Sequence, residues 1–199
     1  MIENPFEEGV TYSLSTSIPI KIRGKRGFQN FRGVYSTEEG IDLRDVPQLA
    51  LPPTFRRLIR NKSEPWYLEY SFQQNLVQSE TDPNRGWGVF GQIATSDGNP
   101  NPAQGHYFIG VGGSSFLRSR PLDLWGISYF NLELSRDLRS AVAAPPFNTK
   151  IGREEGVEAY YNLAVTPWFR VTGNLQFINP FPAVNEESVF AGVRTQVRF

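Results

Sequence analysis

Cysteine is absent from the 199 residues. That excludes structural disulfides, thiolate nucleophiles and thiolate-bound zinc. Histidine occurs once, at His106, which leaves no zinc triad. The 20 basic and 20 acidic residues cancel, so there is no basic footprint for nucleic acid. No stretch approaches the roughly 18 consecutive apolar residues of a membrane helix. Mean hydropathy is -0.38, a value typical of water-soluble chains. Strands that cross a membrane escape both measures, because only every second residue meets lipid.

Aromatics make up 14% of the chain, with 18 glycines and 15 prolines, which favours strands and turns over helices. The dominant period is two. Val10, Tyr12, Leu14, Ile18, Ile20 and Ile22 alternate with Thr11, Ser13, Ser15, Ser17 and Lys21. Pro19 in that run argues against a central soluble-sheet strand. Phe28–Thr37 is a weaker strand. The clearest stripe is Trp66, Leu68, Tyr70, Phe72 and Leu76, opposed by Tyr67, Glu69, Ser71, Gln73 and Asn75. Further strands are expected at Trp87–Thr95, His106–Ser114 and Leu122–Ser135. In the last of these Trp125, Ile127 and Tyr129 face one way, and Leu124, Phe130, Leu132 and Leu134 blur the alternation. Glu154–Thr166 sets Val157, Ala159, Tyr161 and Leu163 against Glu158, Tyr160 and Asn162. Phe169, Val171, Leu175 and Phe177 oppose Arg170, Thr172, Asn174 and Gln176. The chain ends on Val189, Ala191, Val193, Thr195, Val197 and Phe199, with Ser188, Gly192, Arg194, Gln196 and Arg198 opposite.

This predicts an all-β chain of about nine strands, each roughly 9–13 residues long, the length of tilted membrane-wall strands. The expected fold class is an antiparallel transmembrane β-barrel with eight to nine strands present. Shorter connections fall near 23–26, 78–85, 115–121 and 167. Longer ones fall at 38–64, 96–104, 136–153 and 179–187, and a short helix is expected at Phe55–Arg60. Short periplasmic turns alternating with long external loops are a barrel trait. Trp66, Trp87, Trp168, Phe177 and Phe199 sit at strand ends, where interfacial girdles want aromatic rings. Met1–Glu8 has neither a basic n-region nor an apolar h-region. An outer-membrane protein needs such a leader, so the expectation is a mature chain or the downstream part of a longer one.

Signals for chemistry are weak. His106 reads as a packing or surface group. Gly110–Ser114 lacks the Lys-Ser/Thr ending of a phosphate loop and reads as strand glycine. Asp97-Gly98-Asn99 lacks most calcium-loop ligands and reads as a turn. Glu154, Glu155, Glu158 and Glu69 offer a glycosidase reading, which needs two carboxylates flanking one bond; solvated loop charge is the simpler account. The polar partners across the stripes, Glu69, Gln73, Glu158, Asn162, Arg170, Asn174, Gln176, Arg194 and Gln196, are candidates for lining a pore. Tyr67 and Tyr160 add faces on which a sugar ring can stack.

Several phrases in order resemble the carbohydrate-selective porins of the OprB family. They are Gly33-Val34-Tyr35-Ser36, Gly86–Gly91 followed by Asp97–Pro102, and Gly110–Gly113 leading to Arg120-Pro121-Leu122-Asp123 and Gly126. Glu158–Tyr161, Thr166-Pro167-Trp168, Leu175–Pro180 and Gly192–Phe199 complete the set. The resemblance implies a sixteen-stranded porin barrel for passive diffusion of sugars across the bacterial outer membrane, of which 1–199 is the C-terminal portion. It implies no enzyme activity and no cofactor. The partners expected are sugars as transported solutes and outer-membrane lipid, with self-association into a homo-oligomer left open. A closed barrel of only eight or nine strands has an interior filled by side chains, so an incomplete wall is expected. The alternatives are a soluble or periplasmic β-barrel binding module, and an outer-membrane glycoside hydrolase.

Overall fold

The computed structural model describes residues 9–117, 119–181 and 187–198. In chain order the strands are β1 (Thr11–Ile22), β2 (Lys25–Ser36), β3 (Gly40–Ile41), β4 (Asn61–Lys62) and β5 (Trp66–Gln78). Then come β6 (Gly86–Ser96), β7 (Ala103–Ser114), β8 (Leu124–Leu134), β9 (Arg153–Ala164), β10 (Phe169–Asn179) and β11 (Ser188–Val197). Two helices, α1 (Val46–Leu49) and α2 (Arg136–Ala143), lie in connections. Nine strands form one antiparallel sheet in the order β1-β2-β5-β6-β7-β8-β9-β10-β11, and β3 with β4 makes a separate small ribbon. Among the described residues β1 pairs only with β2 and β11 only with β10, so the sheet is open. Pro19, which lacks a backbone donor, sits in the edge strand β1, where a missing ladder bond is tolerated.

The register carries the two-residue period of the sequence across the whole sheet. Tyr12 faces Tyr35, Tyr35 faces Trp66, Leu14 faces Gly33, and Gly33 faces Leu68. Val89 faces Val111, Val111 faces Ile127, Ile127 faces Ala159, and Ala159 faces Leu175. These side chains share one apolar face. Leu14 is 80% exposed, Val193 79% and Leu68 53%, far more than a soluble core allows. Leu68, Phe72, Leu163 and Val171 all lie on this face, and among the described residues no second layer packs over it.

The connections fall into two groups by end. The β1–β2, β5–β6, β7–β8 and β9–β10 connections lie at one end of the sheet, and the β2–β5, β6–β7, β8–β9 and β10–β11 connections at the other. The length alternation is imperfect, since the β7–β8 turn outruns the β6–β7 loop. That turn is fastened by a buried carboxylate. Asp123, 1% exposed, accepts from Arg120 Nε at 2.9 Å, Tyr161 Oη at 2.7 Å and the Ala164 N–H at 2.8 Å. Burial pushes its pKa up, but Arg120, Tyr161 and the Ala164 amide outweigh this and hold the carboxyl below its usual range.

The expected helix at Phe55–Arg60 is not formed. A 3-10 turn spans Pro53–Phe55, and the chain is extended beyond it. Arg60 is committed elsewhere: its N–H and Nε reach Asp45 Oδ2, both at 2.9 Å, and its carbonyl accepts the Asp42 N–H at 2.9 Å. Those tertiary partners override a weak local preference. Conversely, α2 lies in a segment expected to be a loop. Ser135 caps it by accepting the Leu138 N–H at 3.3 Å, and Asp137 occupies its first turn.

Candidate functional site

The second face of the sheet is polar at both ends and aromatic between them. Near the long connections Tyr67 Oη donates to Glu69 Oε2 at 2.7 Å, and Gln92 Nε2 lies 2.8 Å from His106 Nε2. Tyr67 and His106 stack with centroids 6.4 Å apart, and Arg32 is the register partner of Glu69. Asn30 Nδ2 donates to Ser71 Oγ at 3.3 Å one step further along.

The middle band is built from glycine–aromatic pairs. A Cβ on Gly110 would sit 2.6 Å from Phe90 Cζ, one on Gly126 2.5 Å from Tyr160 Cε1, and one on Gly156 2.8 Å from Phe130 Cζ. The glycines therefore seat rings that lie over the neighbouring strand. This accounts for Gly110–Gly113 as strand glycine within β7.

Near the short turns the polar side chains converge. Glu158, Asn162, Arg170, Asn174, Arg194 and Gln196 line a single cavity of about 490 Å³, with Tyr160, Thr172, Leu124 and Arg198. Arg170 Nη1 donates to Asn162 Oδ1 at 2.8 Å, Asn162 Nδ2 donates to Thr172 Oγ1 at 2.6 Å, and Asn174 Nδ2 donates to Glu158 Oε1 at 3.2 Å. Six of the nine sequence candidates thus meet in one place. Gln176 stands next to Glu158 on the same face, outside the cavity lining. Glu69 and Gln73 share the face but lie four strands away on β5. Arg198 and Thr172 were missed as candidates, although strict alternation along β10 and β11 marks both. Arg32 and Gln92 were missed because no motif singles them out, and His106, read as a packing or surface group, stands with Gln92 and Tyr67 on the polar face.

A larger concavity, about 740 Å³, opens on the apolar face over Gly33 and Gly105, walled by Phe31, Leu68, Tyr70 and Tyr107. It is a shallow gap in the apolar surface above glycines and shares no residue with the cluster near the short turns. Of the girdle candidates, Trp87 lies near the short turns and packs against Trp125 at 6.1 Å. Trp66, Trp168 and Phe177 are exposed at strand ends, and Phe199 lies outside the described residues.

The paired-carboxylate arrangement does not assemble. Glu155 points to the apolar face, where Tyr129 Oη donates to it at 2.7 Å, whereas Glu158 has the opposite parity. Glu69 on β5 and Glu158 on β9 are separated by three intervening strands, four strand spacings or roughly 19–20 Å along the sheet. Glycosidases need their two carboxyls about 5–9.5 Å apart. Asn99, from the loop considered for calcium, is spent inside the protein. Its Oδ1 accepts the Leu43 N–H at 3.0 Å, and its Nδ2 donates to Asp42 at 2.8 Å and Asp137 at 2.7 Å. Gly98, at φ +72°, makes the turn before it.

The fold has known counterparts. The structure titled "High pH structure of Pseudomonas putida OprB" superposes with a TM-score of 0.81 at 22% identity, over 96% of this chain and 49% of that one. The corresponding low-pH structure gives a TM-score of 0.61 at 20% identity, covering 96% and 46%. Porin B of Pseudomonas aeruginosa is 24% identical over 183 residues, 83% of this chain and 39% of the relative. The chain thus spans less than half the length of each of these relatives. The carbohydrate-selective porin family OprB matches over residues 11–199, which takes in the whole nine-stranded sheet. With that match, and with one apolar and one polar face across nine strands, this chain belongs to the OprB family of carbohydrate-selective porins.

Proposed function

We propose that this chain forms part of the wall of an outer-membrane pore through which carbohydrates diffuse passively. The observation that carries this reading is the sorting of side chains across nine strands, apolar to one face and polar to the other. Lipid suits the first face and a watery lumen the second. Polar groups along the lumen partly replace a sugar's hydration, and the ring faces of Tyr67 and Tyr160 suit its C–H surfaces. No covalent step is needed, and neither cofactor nor metal enters.

The open edges support reading 1–199 as the C-terminal portion of a longer barrel. Unpaired backbone groups are costly in hydrocarbon, so both edges need partners. β1 and β11 run in the same direction, being the first and ninth strands of an antiparallel meander. Antiparallel closure therefore takes an odd number of additional strands, and a sixteen-stranded porin would supply seven. Sugars are the solutes and outer-membrane lipid the surroundings; self-association would use the apolar face.

Liposome swelling tests this function. Vesicles carrying the full-length protein should swell in isosmotic monosaccharide faster than protein-free vesicles. Replacing Glu158, Arg170 and Arg194 together by glutamine should change that rate. No swelling would end the pore reading, and an unchanged rate in the triple variant would remove those residues from the lining.

A further inference from the structure

The polar face is unevenly charged. Near the long connections Arg32 stands beside Glu69, Glu154 lies on the same face of β9, and Tyr67, Gln92 and His106 are uncharged neighbours, so basic groups are not in excess there. Near the short turns three guanidinium groups, Arg170, Arg194 and Arg198, line one cavity with a single carboxylate, Glu158. Glu158 already accepts from Asn174. Asp123, in the adjacent turn, is taken by Arg120, Tyr161 and the Ala164 amide. Among the described residues none of the three arginines forms an ion pair.

Their donors are unevenly used as well. Arg170 is oriented by its bond to Asn162, itself braced by Thr172, yet Arg170 Nε is buried and has no acceptor. A buried N–H donor without an acceptor is unfavourable, and most such groups in folded proteins find a partner. Arg194 is the register partner of Thr172, and Arg170 that of Gln196, so the guanidinium groups of β10 and β11 are diagonal neighbours. Like charges at that spacing repel. An oxyanion seated among them would relieve the repulsion and supply acceptors in the forked geometry that guanidinium groups recognise.

We infer that this cavity is a binding station for an anionic sugar derivative, a sugar carrying a carboxylate or phosphate group. The anion would sit among Arg170, Arg194 and Arg198. The hydroxyls would meet Glu158, Asn174 and Gln196, and the ring would lie near Tyr160. At about 490 Å³ the cavity has room for a monosaccharide. The inference rests on the pore reading and adds to it a preference by charge at the short-turn end of the lumen.

The test compares uptake of labelled gluconate and labelled glucose into vesicles carrying the full-length protein. Gluconate uptake should exceed glucose uptake by about threefold at low salt, and the ratio should fall at high salt as screening sets in. In the variant R170Q/R194Q/R198Q the ratio should approach one, and the bilayer reversal potential in a KCl gradient should shift away from anion preference. Glucose 6-phosphate in place of gluconate separates the two anionic groups. A wild-type ratio near one, or a ratio unchanged in the variant, overturns the inference while leaving a pore. If no solute enters, the pore reading itself fails. Line broadening of ¹³C-gluconate by the detergent-folded protein then decides the site: broadening by wild type and not by the variant supports it, and none overturns it.

Discussion

Single residues in this sheet act mainly through what their neighbours need. Gly110 is the clearest instance. A Cβ there would meet Phe90 Cζ at 2.6 Å, the Ile127 carbonyl oxygen at 2.7 Å and Ser128 Cβ at 2.8 Å. Two of these three atoms are not the free end of a flexible chain, so relief requires the strands to part. Gly110→Ala should lower stability by about 1–3 kcal/mol, the usual range for overpacking. Gly173 has nothing within 4 Å of its would-be Cβ, and Gly173→Ala should cost little. Urea titration of the detergent-folded protein, followed by tryptophan fluorescence, compares the two. Equal costs would mean that the ring seat over Gly110 is not what that glycine provides. Composition alone marked β7 as glycine-rich strand. The ring each glycine seats depends on register, which only the pairing of strands supplies.

The connections at the long end illustrate how elements hold one another. Asp42, 3% exposed, takes Arg44 Nη2 at 2.6 Å and the Asn99 amide at 2.8 Å, and Asn99 reaches on to Asp137 in the first turn of α2. Ser135 Oγ donates to the Gly98 carbonyl. One asparagine thus joins three loops. Asn99→Ala leaves the Leu43 N–H and Asp42 short of partners, at about 1–3 kcal/mol for a buried unsatisfied group. The Leu43 amide should then exchange with solvent roughly 10- to 100-fold faster by NMR; unchanged protection would show that the loops hold without Asn99. The same cluster sets a pH response. The Arg44 guanidinium holds Asp42 well below the usual carboxylate range, against burial and with help from Asn99 and the Arg44 amide. Arg60 lowers Asp45 in the same way. A carboxyl depressed in the folded state adds stability that is complete above its unfolded pKa of 3.8 and is lost as pH falls through the folded value. Protection of the Asp42 and Asp45 amides should therefore hold between pH 5 and 8 and decline only below about pH 4. A decline near pH 6 would contradict this assignment. Little of the cluster was visible in the chain beforehand. Asn99 read as a turn residue, and α2, despite a capping serine and an acidic first turn, read as loop, because caps show their meaning only once the segment is packed.

At the scale of the whole sheet, what matters is which medium each face meets. Ile127, the fourth residue of β8 and 48% exposed, lies on the apolar face between Val111 and Ala159. In a bilayer Ile127→Arg should cost about 1–3 kcal/mol, between the penalties for a cation on the lipid face at the midplane and at the interface. Gln176→Arg, on the polar face beside Glu158, should change stability by no more than about 0.5 kcal/mol. Refolding into lipid vesicles across a urea series measures both. Similar costs at the two positions would undo the assignment of faces, and with it the pore.

Alternation by itself determined the number of long strands, their approximate bounds and the face each side chain takes, because a pleated strand turns successive side chains to opposite sides wherever it lies. It also separates the polar candidates from the apolar stripe. Only the tertiary structure decided that six of nine candidates share a cavity while Glu69 and Gln73 stand apart. Only it decided that Tyr129 holds Glu155 and that Arg60 folds back onto Asp45 rather than extending a helix. Those outcomes depend on register and on contacts between segments distant in sequence, and a local period of two carries no information about which strand lies beside which.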